Sequence, residues 1–157
     1  MMFWEQRPKR MQDSIQIRVA RRSDYKGCVE LHRLVVPACN RAELLEERIN
    51  AGRIYVAAEG ERVVGLATFE TNFLGCLYLS LVMTHPDFRR RGIARRLIGE
   101  IEKHSTNGKL FSSTEADNSV SIQMHKALGF RRCGYIDDLP QPQREILFCK
   151  DVPTGKR

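Results

Sequence analysis

The sequence predicts an α/β domain, α+β in the wider sense, built on a mixed sheet with helices on both faces. Three observations carry this. Two apolar runs, residues 54–58 and 63–69, flank Glu59-Gly60-Glu61-Arg62 and read as a hairpin. An alternating run over 76–84 gives way, past Pro86, to a helical period from Ile93, and a further apolar run over 109–114 comes after it. That order is a strand–helix–strand crossover. Amphipathic helical segments stand before and after this unit, so both sheet faces need cover.

The first strand is 15–19, where Ile15, Ile17 and Val19 alternate with polar residues. Ser23-Asp24 reads as a helix cap. Residues 25–36 then carry Cys28, Leu31 and Val35 at helical spacing before Pro37 interrupts. A second helix over 41–51 shows Ala42, Leu45 and Ile49 on one side and stops at Gly52. After the hairpin, Leu77, Leu79, Leu81 and Met83 alternate with Tyr78, Ser80, Val82 and Thr84, the period of a strand. Pro86 stops that ladder, having no N–H to donate. From Ile93, residues Ala94, Leu97, Ile98 and Ile101 make one apolar stripe, ended by Asn107-Gly108. A buried strand over 109–114 comes next. Asn118 opens a helix through Leu128 with Val120, Met124 and Ala127 facing inward. Gly129 closes it in the left-handed region, and Phe130 supplies the apolar contact that accompanies such caps. Strands over 131–136 and 145–150, joined by a loop with two prolines, complete a domain spanning 15–151, between an arm (1–14) and a polar tail (152–157).

The chain has 157 residues, 42% hydrophobic and 29% charged, the composition of a soluble globular protein. Nothing approaches the ~18 apolar residues of a membrane span. The basic start has no apolar core behind it, so no secretory signal is expected. Five cysteines are an odd number without a CxxC pair, which argues against a zinc site or a disulfide framework and for a reducing cytoplasm. The four histidines show no metal-ligand spacing, and no metal is expected. The net charge of +7 points to an anionic partner: nucleic acid, a membrane surface or an anionic cofactor.

Between strand and helix lies Arg89-Arg90-Arg91-Gly92-Ile93-Ala94. A helix start offers free N–H groups, a glycine allows close backbone approach, and arginines add charge-assisted hydrogen bonds. That combination is a pyrophosphate cradle. Arg95 and Arg96 continue the charge, either toward the same phosphates or as a solvated helix face.

The pattern Arg89-x-x-Gly92-x-Ala94, behind a His85-Pro86-Asp87-Phe88 turn, resembles the coenzyme A signature of the GNAT N-acetyltransferases. The flanking strand and helix, a further strand, and a second helix ending in Leu128-Gly129-Phe130 match that family's element order over about 15–151. The resemblance implies the acyl-CoA N-acyltransferase fold: a mixed, mostly antiparallel sheet of six to seven strands, flanked by about four helices, with splayed central strands. It implies acetyl-coenzyme A as cofactor. The backbone of Val82, Met83 and Thr84 would pair with the pantetheine arm, Arg89, Arg90, Arg91, Gly92, Ile93, Ala94 and Arg95 would hold the phosphates, and Asn118 would contact the arm.

One departure stands out. Many relatives carry tyrosine where this chain has His125, a phenol thought to protonate the departing thiolate. Asn118, Ser121 and His125 fall at i, i+3 and i+7, so one helix face is expected to present all three to the cofactor. A histidine titrates near neutrality and could act as that acid; the other reading is a partly exposed histidine without a role. No carboxylate stands on the central strand, and Glu70, Glu115 and Asp117 are candidates for deprotonating the amine through water, each more simply an exposed carboxylate. Glu43, Glu46, Glu47, Asp137 and Asp138 lie in segments that set acceptor choice in the family, which favours a cationic amine, although a solvated face explains them equally. The reading is therefore transfer of acetyl to a primary amine of a small molecule, or to a protein lysine or N-terminus, by a monomer or homodimer. Its rivals are a coenzyme A sensor without chemistry and a nucleic-acid module using Arg7, Lys9, Arg10, Arg21, Arg22 and the triple arginine. Single-strand binders interleave aromatics with basic residues, and the arginine turn holds only Phe88.

Overall fold

The computed structural model describes residues 14–154. The arm, but for Ser14, and residues 155–157 of the tail lie outside the described residues. Strand β1 (Ile15–Val19) leads through a 3-10 turn at Arg22–Asp24 into α1 (Tyr25–Val35) and α2 (Ala42–Asn50). The hairpin β2 (Ile54–Glu59) and β3 (Arg62–Phe73) precedes β4 (Cys76–Thr84), a 3-10 turn at Pro86–Phe88, and α3 (Ile93–Glu102). Then come β5 (Lys109–Glu115), α4 (Ser119–Ala127), β6 (Arg131–Ile136) and β7 (Glu145–Asp151).

The seven strands form one sheet in the order β1-β2-β3-β4-β5-β7-β6. Every pairing is antiparallel except β4 with β5, the crossover expected from the sequence. Each sheet face carries its own core. On one, Ile93, Leu97, Ile98 and Ile101 of α3 and Ile122 of α4 pack on Val64, Phe69, Leu79, Leu110 and Phe148. On the other, Cys28 and Leu31 of α1 and Leu45 and Ile49 of α2 cover Val56, Leu66 and Met83. The Cys28 thiol is pushed up to about 12 by burial and is an inert packing group.

Four local expectations are corrected. The strict alternation of β4 does not put Leu77, Leu79, Leu81 and Met83 on one face. Phe69 pairs with Leu79 and Thr68 with Leu81, so Ser80 is an extra residue, a β-bulge. The bulge reverses the faces of the strand beyond it. Leu77 and Leu79 join the α3 core, Leu81 and Met83 the α1 core, and Val82 turns back toward α3. Second, the inner stripe of α4 is Ile122 and His125, whereas Val120 is 80% exposed and Ala127 is exposed too. Third, α3 ends at Glu102, five residues short of Asn107, which belongs to the turn before β5. Fourth, Asp24 makes no side-chain cap on α1. Its carboxylate accepts two hydrogen bonds from Arg18, at 2.6 and 3.0 Å, and one from the Arg21 N–H at 2.6 Å, which holds it below the usual carboxylate range.

The close of α4 matches expectation closely. Gly129 has φ +88°, the Phe130 N–H donates to the His125 carbonyl at 3.0 Å, and the Gly129 N–H donates to the Lys126 carbonyl at 3.1 Å. This is a Schellman motif, and its apolar contact is Phe130 against the His125 ring, centroids 5.4 Å apart.

Candidate active site

β4 and β5 pair only over Leu77↔Leu110, Tyr78↔Phe111 and Leu79↔Ser112. Beyond that point the two strands part, although β4 runs on to Thr84 and β5 to Glu115. Among the described residues, the fork leaves the β5-facing edge of Ser80–Thr84 without a strand partner. Such an edge binds an extended chain by backbone hydrogen bonds.

A groove of about 710 Å³ runs from this edge to the start of α3. Val82, Met83 and Thr84 line one wall, Arg89, Arg90 and Gly92 with Ile93, Ala94 and Arg95 form the basic end, and Asn118 and Ser121 stand on α4 opposite. Eleven of the thirteen residues singled out by sequence thus meet in one groove. Arg91 and His125 do not line it. Arg91 turns away to stack over the Phe88 ring, 4.8 Å from its centroid. Sequence reading missed the apolar lining, Val35 and Val36 at the end of α1 with Leu81, Val120, Met124 and Leu128. Helical spacing alone puts Val120 and Met124 in the core, because an apolar groove and a core give the same stripe.

The basic end joins arginines to a free helix start, a combination that attracts anions. Gly92 sits at the N-cap of α3 with φ +72°, and no side chain caps the helix. A Cβ at Gly92 would meet no atom of the described residues within 4 Å, so the glycine answers to the left-handed turn rather than to packing, and the space beside it is open. Arg90 also has a positive φ, +61°, uncommon for a side-chain-bearing residue and frequent at binding sites. Asn118 caps α4 by accepting the Ser121 N–H at 3.0 Å.

His125 is 3% exposed and points into the core. Its ring stacks on Phe148 with centroids 4.4 Å apart. Nδ1 faces the Ser121 carbonyl at 2.7 Å, so that nitrogen carries hydrogen, and Nε2 lies 2.8 Å from Ser112 Oγ. Burial lowers its pKa below the ordinary histidine value; the Ser121 carbonyl and the charge of Glu145 oppose this less strongly. The pocket accommodates either state. In the neutral ring Nε2 accepts from Ser112; in the cation Nε2 donates to Ser112, which then donates to the Leu79 carbonyl, 3.1 Å away at the fork.

On the opposite sheet face, Tyr78 and Ser113 flank the fork, with hydroxyl oxygens 2.6 Å apart. Burial raises the Tyr78 pKa. Among the expected acidic groups, Glu47 pairs with Arg48 at 3.2 Å and Asp137 with Arg144 at 2.7 and 3.0 Å. Glu46 borders a separate hollow of about 240 Å³. Glu70 is held by Arg48 and, at 3.5 Å, by Arg53. The acidic residues picked from sequence therefore do not gather at the groove.

The fork, the paired helices and the sheet order define the acyl-CoA N-acyltransferase fold. The family model for the acetyltransferase (GNAT) family matches residues 17–130, and the chain belongs to that family. A GNAT-family acetyltransferase from Bacillus cereus superposes with TM-score 0.78 and 30% identity, over 88% of this chain and 98% of that one. NAA60 of Arabidopsis thaliana, solved with acetyl-CoA, has the same fold at TM-score 0.71 and 22% identity, over 88% and 99% of the two chains. An aminoglycoside N(6')-acetyltransferase type 1 of Salmonella typhimurium is 35% identical over 57 residues, 34% of this chain. The match spans 39% of that relative's length.

Proposed function

We propose that the protein transfers acetyl from acetyl-coenzyme A directly to a primary amine, of a small molecule or of a protein lysine or N-terminus. One observation carries this: the partnerless edge of β4 and the uncapped start of α3 share a single groove. A long cofactor with an anionic head and an amide-bearing arm fits that pairing, with Arg89, Arg90 and Gly92 to Ala94 toward the phosphates and Val82 to Thr84 along the arm. Acetyl-coenzyme A, when bound, supplies an acyl carbon activated as a thioester. Laid this way, the arm would run toward the fork, where Leu81 lines the groove. There a backbone N–H of β4 polarises the acyl carbonyl. The His125 cation, donating from Nε2 through the Ser112 hydroxyl, is the proton source for the leaving thiolate.

A thiol-release assay with acetyl-coenzyme A across primary amines tests the reading. The Salmonella relative makes a 6′-amino aminoglycoside a first acceptor to try, beside peptides with free N-termini and lysines. Amine-dependent release of thiol is expected. Coenzyme A binding without release would make the protein a sensor, and tight, salt-sensitive binding of DNA or RNA in competition with coenzyme A would favour a nucleic-acid module.

A further inference from the structure

We propose that Glu145 takes up the proton of the acceptor amine, through a hydrogen-bonded relay of Tyr78 and Ser113. The proposal rests on the reading above and adds the base that the sequence did not supply. Ser113 Oγ donates to Glu145 Oε1 at 2.6 Å, and Gln141 Nε2 donates to the other carboxylate oxygen at 3.2 Å. A carboxylate only accepts, so the single Ser113 hydrogen is committed to Glu145, and Tyr78 is the donor in its 2.6 Å contact with Ser113. All three groups therefore point one way, Tyr78 to Ser113 to Glu145.

The placement fits an acceptor site. Tyr78 and Ser113 stand one residue either side of the last β4–β5 pair, Leu79↔Ser112, on the sheet face away from α3 and α4. The groove is lined from both sheet faces, by α3 and α4 on one and by Val35 and Val36 at the end of α1 with Leu81 and Met83 on the other. An amine entering from the α1 side would therefore meet the sheet face that carries the Tyr78 hydroxyl. The charges acting on Tyr78 are Glu145, Glu70 and Arg41. Glu70 is already neutralised by two arginines, whereas the contacts of Glu145 are neutral donors. Glu115 lies directly across from Glu145 in the β5–β7 register, and two facing carboxylates favour a cationic arrival.

The step balances. The amine nitrogen gives a proton to the Tyr78 oxygen as Tyr78 gives its own to Ser113 and Ser113 gives its own to Glu145. Both hydroxyls are restored, the carboxylate becomes a carboxylic acid, and the nitrogen lone pair is free to bond the acyl carbon. The raised Tyr78 pKa keeps the phenol protonated near neutrality, the form a relay needs.

Glu145→Gln keeps an acceptor for Ser113 but cannot take a proton. With a 6′-amino aminoglycoside or an N-terminal peptide as acceptor, kcat/KM is expected to fall about 100- to 10,000-fold, the scale of lost general base catalysis. Its remaining activity is expected to need a more alkaline pH, where the acceptor is already a free amine, while calorimetric coenzyme A affinity stays that of the parent. Ser113→Ala should show a comparable fall and Ser113→Thr recover most of it, which keeps the relay testable if Glu145→Gln folds poorly. Parent-like turnover and pH profile in a folded Glu145→Gln or Ser113→Ala variant overturn the relay and leave the acetyltransferase reading standing. A parent that binds acetyl-coenzyme A yet releases no thiol with any amine overturns both.

Discussion

His125 ties stability to pH as well as to chemistry. Buried against Phe148 and Ser112, it resists protonation in the folded protein, whereas in the unfolded chain it titrates at about 6.5. The unfolded state then binds more protons on acidification, so stability is fully present above that pH and is lost as pH falls from about 6.5 toward the folded value. The slope reaches about 1.4 kcal/mol per pH unit for one histidine. His32, 2% exposed and likewise lowered by burial, acts in the same direction. Urea unfolding at pH 7.5 and 5.5 should show a loss for the parent and a smaller one for His125→Gln; a parent that gains stability on acidification contradicts this. For the chemistry, His125→Ala should lower turnover roughly ten- to a thousandfold with little change in coenzyme A affinity. The sequence brought His125 forward by its place before Gly129-Phe130. Its inward turn was hidden, because helix spacing places a residue on a face without telling which neighbours that face meets.

Among elements, β3 and α3 meet at Gly65. A Cβ there would lie 2.8 Å from Ile93 Cγ2 and 3.3 Å from Ala57 Cβ. Ile93 is both a buried core residue and the first residue of the helix whose start lines the groove. Gly65→Ala should therefore cost about 1–3 kcal/mol by overpacking, lowering the unfolding midpoint by several degrees, and weaken coenzyme A binding because α3 must shift. An unchanged midpoint with unchanged affinity would show that the strand and helix do not bear on each other this way. The sequence showed Gly65 only as a glycine inside an apolar run, since the contact joins strand and helix residues far apart in the chain. The same limit hid the Ser80 bulge. Alternation along 77–83 is unbroken in the sequence, and only pairing with Thr68 and Phe69 reveals the extra residue that reverses the faces. Element types and order were legible because each rests on local periodicity and on Gly and Pro stops.

For the whole molecule, Arg89, Arg90 and Arg95 gather at the basic end of the groove, while other arginines are held in ion pairs such as Arg18–Asp24 and Arg144–Asp137. The cofactor half of the site was legible because strand, cradle and helix cap are contiguous from Val82 to Ala94. The acceptor half was not, since Tyr78, Ser113 and Glu145 come from three strands that only the sheet order brings together. The central claim is that the start of α3 is a phosphate cradle, and calorimetric titration of coenzyme A into the parent and Gly92→Glu tests it most directly. The substitution would place a side chain and a negative charge in the proposed phosphate position, in space that no atom of the described residues fills. The left-handed backbone there costs the variant only about 1–2 kcal/mol, so the fold should survive. The parent should bind coenzyme A and the folded Gly92→Glu variant should give no binding heat; equal affinity in the two would contradict the assignment.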